Sequence, residues 1–270
     1  MAPIDFLIFI GVGCIVGFLA GFFGVGGGLL IVPILIFSYE QSGVSPTVLT
    51  HIAIATSLFV IIFASLTSAY QHSKQGNVDW RSVFVLGFSS ALTALAATTL
   101  AAWLSGKHLQ IFFGLIVMTT AIGMLTEGEA QALKKLESAA KPGIHGLVGV
   151  GLAAGVVAAL AGVGGGVVTI PMMYYLLNMP LKLAIGTSSA TIVITALFSL
   201  AGYILNGLGR AGLPGWSIGF VDLQRGVALA MGTILMARVG AYVSFKTHPF
   251  RLRKIFALFA IMVSIYMLVK

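Results

Sequence analysis

Long stretches without a charged side chain constrain the fold of this chain more than any motif does. Uncharged runs extend from Phe6 to Tyr39, Gln41 to Ser73, Ser82 to Gly106 and His108 to Thr126. Pro142 to Leu181 is another, and from Lys182 to Gly209 that lysine is the only charge. Each run can supply at least one helix of ~20 residues across ~30 Å of hydrocarbon. Membrane barrel strands are shorter and alternate polar with apolar residues, a pattern missing here. With 59% hydrophobic and 8% charged residues and a mean hydropathy of +1.07, the chain reads as an all-α integral membrane protein. Asp5 stands where a cleavable leader would be basic, so the first apolar run is expected to be a retained span. Cys14 is the single cysteine, which excludes an internal disulfide and fits a buried small side chain. The formal charge of +8 sits in the loops between apolar runs, where it sets orientation. Nucleic acid is therefore not expected as a partner; the bilayer is, with a homodimer as a compatible assembly.

Two ten-residue blocks stand out within the apolar runs: GVGGGLLIVP from Gly24 to Pro33, and GVGGGVVTIP from Gly162 to Pro171. Six of the ten positions are identical. Glycine runs are costly inside a helix, so their repetition points to a backbone break that is used twice. The similarity goes further. Ala53-Ile54-Ala55-Thr56-Ser57 matches Ala184-Ile185-Gly186-Thr187-Ser188, Val78-Asp79 matches Val221-Asp222, and Leu109 to Leu125 aligns with Leu252 to Leu268. The chain thus divides into a first membrane repeat at 1–126, a charged linker at 127–141 and a second membrane repeat at 142–270.

Charge placement orients the halves. Phe6 to Tyr39 is about 51 Å long as a helix, too long for one untilted crossing and short for two. Read as a single span, it leaves the loop charges almost evenly divided. Read as a hairpin that enters and returns, it puts Lys74, Arg81, Lys134, Lys135, Lys141, Lys182, Lys246, Arg251, Arg253 and Lys254 on one side. Only Lys107, Arg210, Arg225 and Lys270 lie opposite, as the positive-inside rule demands, with Arg238 inside a span. Each half then has about five membrane elements, an odd number, so the second half inserts upside down. Two inverted repeats are expected, with the linker cytoplasmic and both termini outside.

In this geometry the arms Leu29 to Phe37 and Val167 to Leu177 start near the bilayer midplane and run to opposite faces. Each start offers ~+0.5 charge and several free N–H donors, and glycine lets a ligand approach that backbone closely. Gly24, Gly26, Gly27, Gly28, Gly162, Gly164, Gly165 and Gly166 are therefore candidate ligands of a small anion. Thr56, Ser57, Thr187 and Ser188 lie about 10 to 17 Å inside their helices and can add hydroxyl donors. The plainer reading has intramembrane Thr and Ser bonding their own helix carbonyls. Glycines also serve close packing, the role given to Gly13, Gly17 and Gly21 at four-residue spacing. Arg238, a cation within a span, is a candidate substrate contact by default; snorkelling is the alternative. Asp79 and Asp222 read as helix N-caps. The five histidines show no metal-ligand spacing and are expected near the membrane interfaces. No cofactor, metal site or catalytic group is expected, and the chain does not read as an enzyme.

These residues carry a resemblance. The G-x-G-G-G block followed by Pro in both halves, Ala-x-x-Thr-Ser at 53–57 and 184–188, the Gly76-Asn77-Val78-Asp79-Trp80 turn and the two Met-Leu endings are similar to the sulfite exporter TauE/SafE family, also called the 4-toluene sulfonate uptake permease family. The resemblance implies a secondary transporter of the bacterial inner membrane for sulfite, sulfoacetate, another organosulfonate or a related small anion. It implies alternating access, with export as the expected direction and a passive anion channel or an uptake permease as alternatives. The longer turn Gly207 to Gln224, with Arg210, Pro214 and Trp216, departs from the first half. A packed loop is the preferred reading there, over an external lid.

Overall fold

The computed structural model describes residues 3–100 and 142–269, with residues 115, 118, 119, 121–123, 125 and 126 between them. Helix α1 (Pro3–Phe23) and α2 (Gly28–Gln41) flank the first glycine block. They are followed by α3 (Pro46–Lys74) and α4 (Trp80–Leu100). In the second half α5 (Ile144–Ala161) and α6 (Gly166–Leu176) flank the second block. Then come α7 (Leu181–Gly207), α8 (Leu223–Lys246) and α9 (Pro249–Val269). A two-residue antiparallel ribbon, β1 (Ser217–Ile218) and β2 (Val221–Asp222), precedes α8. Among the described residues six helices are long and apolar enough to cross a membrane: α1, α3, α4, α5, α7 and α8. The short helices α2 and α6 are apolar too. This is an all-α, multi-pass membrane protein. The linker 127–141 and the first half's counterpart of α9, apart from those scattered positions, lie outside the described residues.

Small residues bring the halves together, because in lipid helices attract through close contact and hydrogen bonds rather than through apolar burial. Gly13, Gly17 and Gly21 of α1 lie against the backbone of Leu229, Thr233 and Ala237 of α8. Both series rise together, so the two helices run parallel. A side chain at any of these glycines would overlap the α8 backbone. The second half does the same in reverse: Gly151 and Gly155 of α5 lie against Leu86 and Ser90 of α4, and the Thr93 hydroxyl donates to the Leu152 carbonyl at 2.9 Å.

Helices α3 and α7 cross between these pairs and run antiparallel. The His51 ring lies 6.4 Å from that of Tyr203, Ser68 and Ser189 share a hydrogen bond of 3.1 Å, and His72 stands beside Gly186. Residue numbers rise along one helix as they fall along the other. Two large apolar cores meet at this crossing, one around Ile61 and Ile192, the other around Val167 and Ile185.

Candidate functional site

Both glycine blocks break their helices in the same way. Gly24, Gly26 and Gly27 have φ of +68°, +83° and +82°, and Gly162, Gly164 and Gly165 have +65°, +72° and +81°. Those values lie in the left-handed region that only glycine enters cheaply. The chain turns back on itself there: Gly27 packs against Val16 and Ala20 of the preceding helix, and Gly165 against Ala154. Pro33 and Pro171 lie five residues into α2 and α6. Lacking an N–H, each leaves the carbonyl four residues earlier, Leu29 or Val167, without its helical partner.

The two breaks touch. Gly28 lies against the Gly162 carbonyl and Val163, while Gly166 lies against the Gly24 carbonyl and Val25. Ile61 and Ile192 stand between them, each within contact of both Gly26 and Gly164. The centre is thus closed by two isoleucines. The amides of Val25, Gly26 and Gly27, and those of Val163, Gly164 and Gly165, donate to no backbone carbonyl among the described residues. Six such N–H groups sit at two helix starts, where the helix dipoles are positive.

The hydroxyl residues fasten this centre across the halves. Ser57 donates to the Gly162 carbonyl at 3.0 Å, and Ser188 donates to the Gly24 carbonyl at 3.1 Å. Thr56 Oγ1 accepts from the Asp222 amide at 3.0 Å; Thr187 Oγ1 accepts from the Asp79 amide at 3.0 Å. All four hydroxyl residues are fully buried. Their hydroxyls bind the opposite half, in place of the own-helix carbonyls that sequence alone suggests.

The structure also places the other residues singled out in the sequence. Arg238 is exposed on α8, in the neighbourhood of Tyr70, while its neighbour Ala237 faces Gly21. It is not among the residues gathered at the breaks. Snorkelling accounts for its placement, since the long apolar stem can lie along the helix with its charge outward. Asp222 caps α8 through its carboxylate, which accepts from the amides of Gln224 and Arg225. The Asp79 carboxylate instead takes the Ser82 hydroxyl. His72 is buried at 1% exposure, in the last turn of α3 together with Lys74. In the long turn, Phe220 and Val221 are buried and the Phe220 ring stacks on His51 at 5.2 Å, whereas Trp216 is 75% exposed.

Sequence reasoning missed Ile61 and Ile192 as the residues that close the centre. The spacing that sets Ala53 on Ala184 also sets Ile61 on Ile192, so the repeat held that signal. It also missed Tyr39 and Arg225. The Tyr39 hydroxyl donates to Asp222 at 3.2 Å, and Arg225 pairs with Asp222 at 2.9 Å. Nothing in the local sequence ties Tyr39 to a residue in the other half. Among the described residues no three of His, Cys, Asp or Glu lie close enough to hold a metal ion.

A family model described as Sulfite exporter TauE/SafE matches residues 9–267. A probable membrane transporter protein of Haemophilus influenzae is 29% identical over 96% of both chains. Another, from Methanocaldococcus jannaschii, is 29% identical over 90% of this chain and 87% of its own. A sulfite exporter TauE/SafE family protein 5 of Arabidopsis thaliana is 36% identical, over 31% of this chain and 17% of its own. No solved structure matches.

Proposed function

Since the chain belongs to the sulfite exporter TauE/SafE family, we propose that it exports a small sulfur-containing anion, sulfite, sulfoacetate or another organosulfonate, across the bacterial inner membrane. The single observation that carries this reading is the meeting of the two breaks, with six amides free of backbone acceptors at two positive helix starts. An oxyanion with several acceptor oxygens and no need of a metal is the ligand that suits such donors. Gly24, Gly26, Gly27 and Gly28 would hold it from one half, and Gly162, Gly164, Gly165 and Gly166 from the other. Ser57 and Ser188 release the break carbonyls and turn their hydroxyls to the anion as the halves separate, with Thr56 and Thr187 behind them.

The mechanism is alternating access. Helices α3 and α7 are corresponding members of the two repeats and run antiparallel, which supports an inverted arrangement across the membrane. The ten-against-four division of Lys and Arg supports a cytoplasmic linker and periplasmic termini. Ile61 and Ile192, packed between the breaks, argue against a permanently open channel. The anion is moved without being chemically altered.

Purified protein in liposomes tests the proposal with sulfite, sulfoacetate and sulfate compared. Flux of sulfite or sulfoacetate above protein-free liposomes, and accumulation against a gradient, is the expected result. Gradient-limited flux would convert the carrier into a channel. Absence of flux with all three anions would remove the anion reading.

A further inference from the structure

We propose that His72 is a proton-binding residue that couples anion movement to the pH gradient; this rests on the transport reading above. His72 is buried near the cytoplasmic end of α3, at 1% exposure, where three elements meet. Its Nε2 lies 3.3 Å from the Gly21 carbonyl of α1. Its Cβ packs on Gly186 of α7, and its own carbonyl accepts from the amides of Gln75 and Asn77 in the turn after α3.

The bond to Gly21 fixes the tautomer. A carbonyl only accepts, so Nε2 carries the hydrogen and Nδ1 is left with its lone pair. Nδ1 is buried and has no partner. It is the position of this imidazole that can take a proton. The same seven residues carry three more buried polar atoms without partners: Gln71 Oε1, Gln75 Oε1 and Asn77 Nδ2. Four such atoms in one helix end and its turn are as many as a hundred residues ordinarily carry. They mark the end of α3 as the place where water enters when the packing loosens.

The charged groups on the surrounding elements are engaged elsewhere. The Lys182 ammonium donates to the Phe245 carbonyl at 2.7 Å, and Asp79 accepts from Ser82. Lys74 lies over the Tyr70 ring and Lys246 over Tyr242, while Arg238 is exposed. Among the described residues no carboxylate pairs with the imidazole, so the cation it forms needs water or an anion. Protonation favours the conformation that admits one of these, by as much as the proton's affinity differs between the two conformations.

Its position transmits that preference. Gly21 lies three residues before Gly24, whose carbonyl Ser188 holds, and Gly186 lies two residues before Ser188. Loosening α1 from α7 at His72 loosens the same serine bond that ties the breaks together. Nδ1 takes its proton from water on the side to which the site is open. Water there solvates the new charge once the anion has left outside, and Nδ1 returns the proton to cytoplasmic water when the empty carrier turns inward, so that the proton moves in as the anion moves out.

The experiment uses the full chain in liposomes with sulfite as the probe, counting flux above protein-free liposomes. Sulfite counterflow at equal pH reports transport itself; the response to an acid liposome interior, from which departing protons draw sulfite inward, reports coupling. The expected wild-type result is sulfite accumulation raised about tenfold by one pH unit, and a response reduced to less than about twofold in both His72→Gln and His72→Asn. A wild-type protein with counterflow but no response to the gradient overturns the coupling and leaves transport standing. A full response in either variant overturns it as well. Absence of counterflow in the wild type overturns the transport reading and this one with it.

Discussion

The two ends of the α3–α7 crossing are built on one plan, yet only one of them is closed by charge. At both ends a threonine hydroxyl accepts the amide of an aspartate from the other half, at 3.0 Å each time. At the Asp222 end the carboxylate also receives Arg225 at 2.9 Å and the Tyr39 hydroxyl at 3.2 Å. Arg225 continues to Ser38 at 3.1 Å and Ser42 at 2.6 Å, with its guanidinium 4.6 Å from the Tyr39 ring centre. At the Asp79 end Ser82 stands in the place of Arg225 and Leu177 in that of Tyr39. The difference teaches that the two ends share their backbone joints, while the side chains around Asp222 add a charged tie that the Asp79 end lacks among the described residues. Charge-assisted bonds are roughly twice as strong as neutral ones, and this network joins four elements.

The glycine breaks are the part of the comparison in which the halves are alike. Gly27→Leu and Gly165→Leu each force a side chain into φ near +80°, at about 1–2 kcal/mol for the backbone alone. A Cβ would also stand 2.6 Å from Val16 or 2.7 Å from the Ala154 carbonyl. Each is expected to abolish transport, with anion flux per folded protein at or near background. Full flux in either variant would show that the two breaks are not equivalent, and full flux in both would remove the proposed site.

The ends provide the next largest contrast. Asp222→Asn leaves Arg225, whose side chain is 14% exposed, without its carboxylate, and should cost about 3 kcal/mol of stability. Asp79→Asn only exchanges a charged acceptor of the Ser82 hydroxyl for a neutral one and should cost about 1 kcal/mol. Thermal unfolding in detergent compares them directly. Equal losses would mean that the charged network adds nothing to its end of the molecule.

The smallest effects are expected at the serines that hold the break carbonyls. Ser57→Ala and Ser188→Ala each remove one interhelical bond, worth about 0.6–2 kcal/mol in a membrane protein. Their losses should agree, and flux should fall by less than about fivefold in each. A large inequality in flux would make one serine a substrate ligand and the other a structural tie.

Much of the fold was legible because membrane helices are written in composition. The runs Gln41 to Ser73 and Ser82 to Gly106 cover α3 but for Lys74 and α4 but for Trp80 and Arg81, and the blocks at Gly24 and Gly162 mark the breaks within a residue or two. Glycine and proline act on their own backbone, so their effect needs no knowledge of neighbours. Arg238 shows where local reading fails. Its sequence position places it in a span, but which face of α8 turns outward depends on how Gly240 and Ala237 pack against α1. The hydroxyl pairs were legible as candidates, not as partners. Thr56 and Asp222 are 166 residues apart, a separation across which sequence carries no geometric information.

The sequence by itself determined the class, the duplication and the two breaks. Hydrocarbon tolerates few charges, and the left-handed turns need glycine, so both requirements are met residue by residue. Only the tertiary structure decided that the breaks touch, that Ile61 and Ile192 close the space between them, and that the serines and threonines reach across to the opposite half. Those outcomes depend on two antiparallel helices bringing distant residues into hydrogen-bonding range, where each hydroxyl takes the nearest unpaired backbone group.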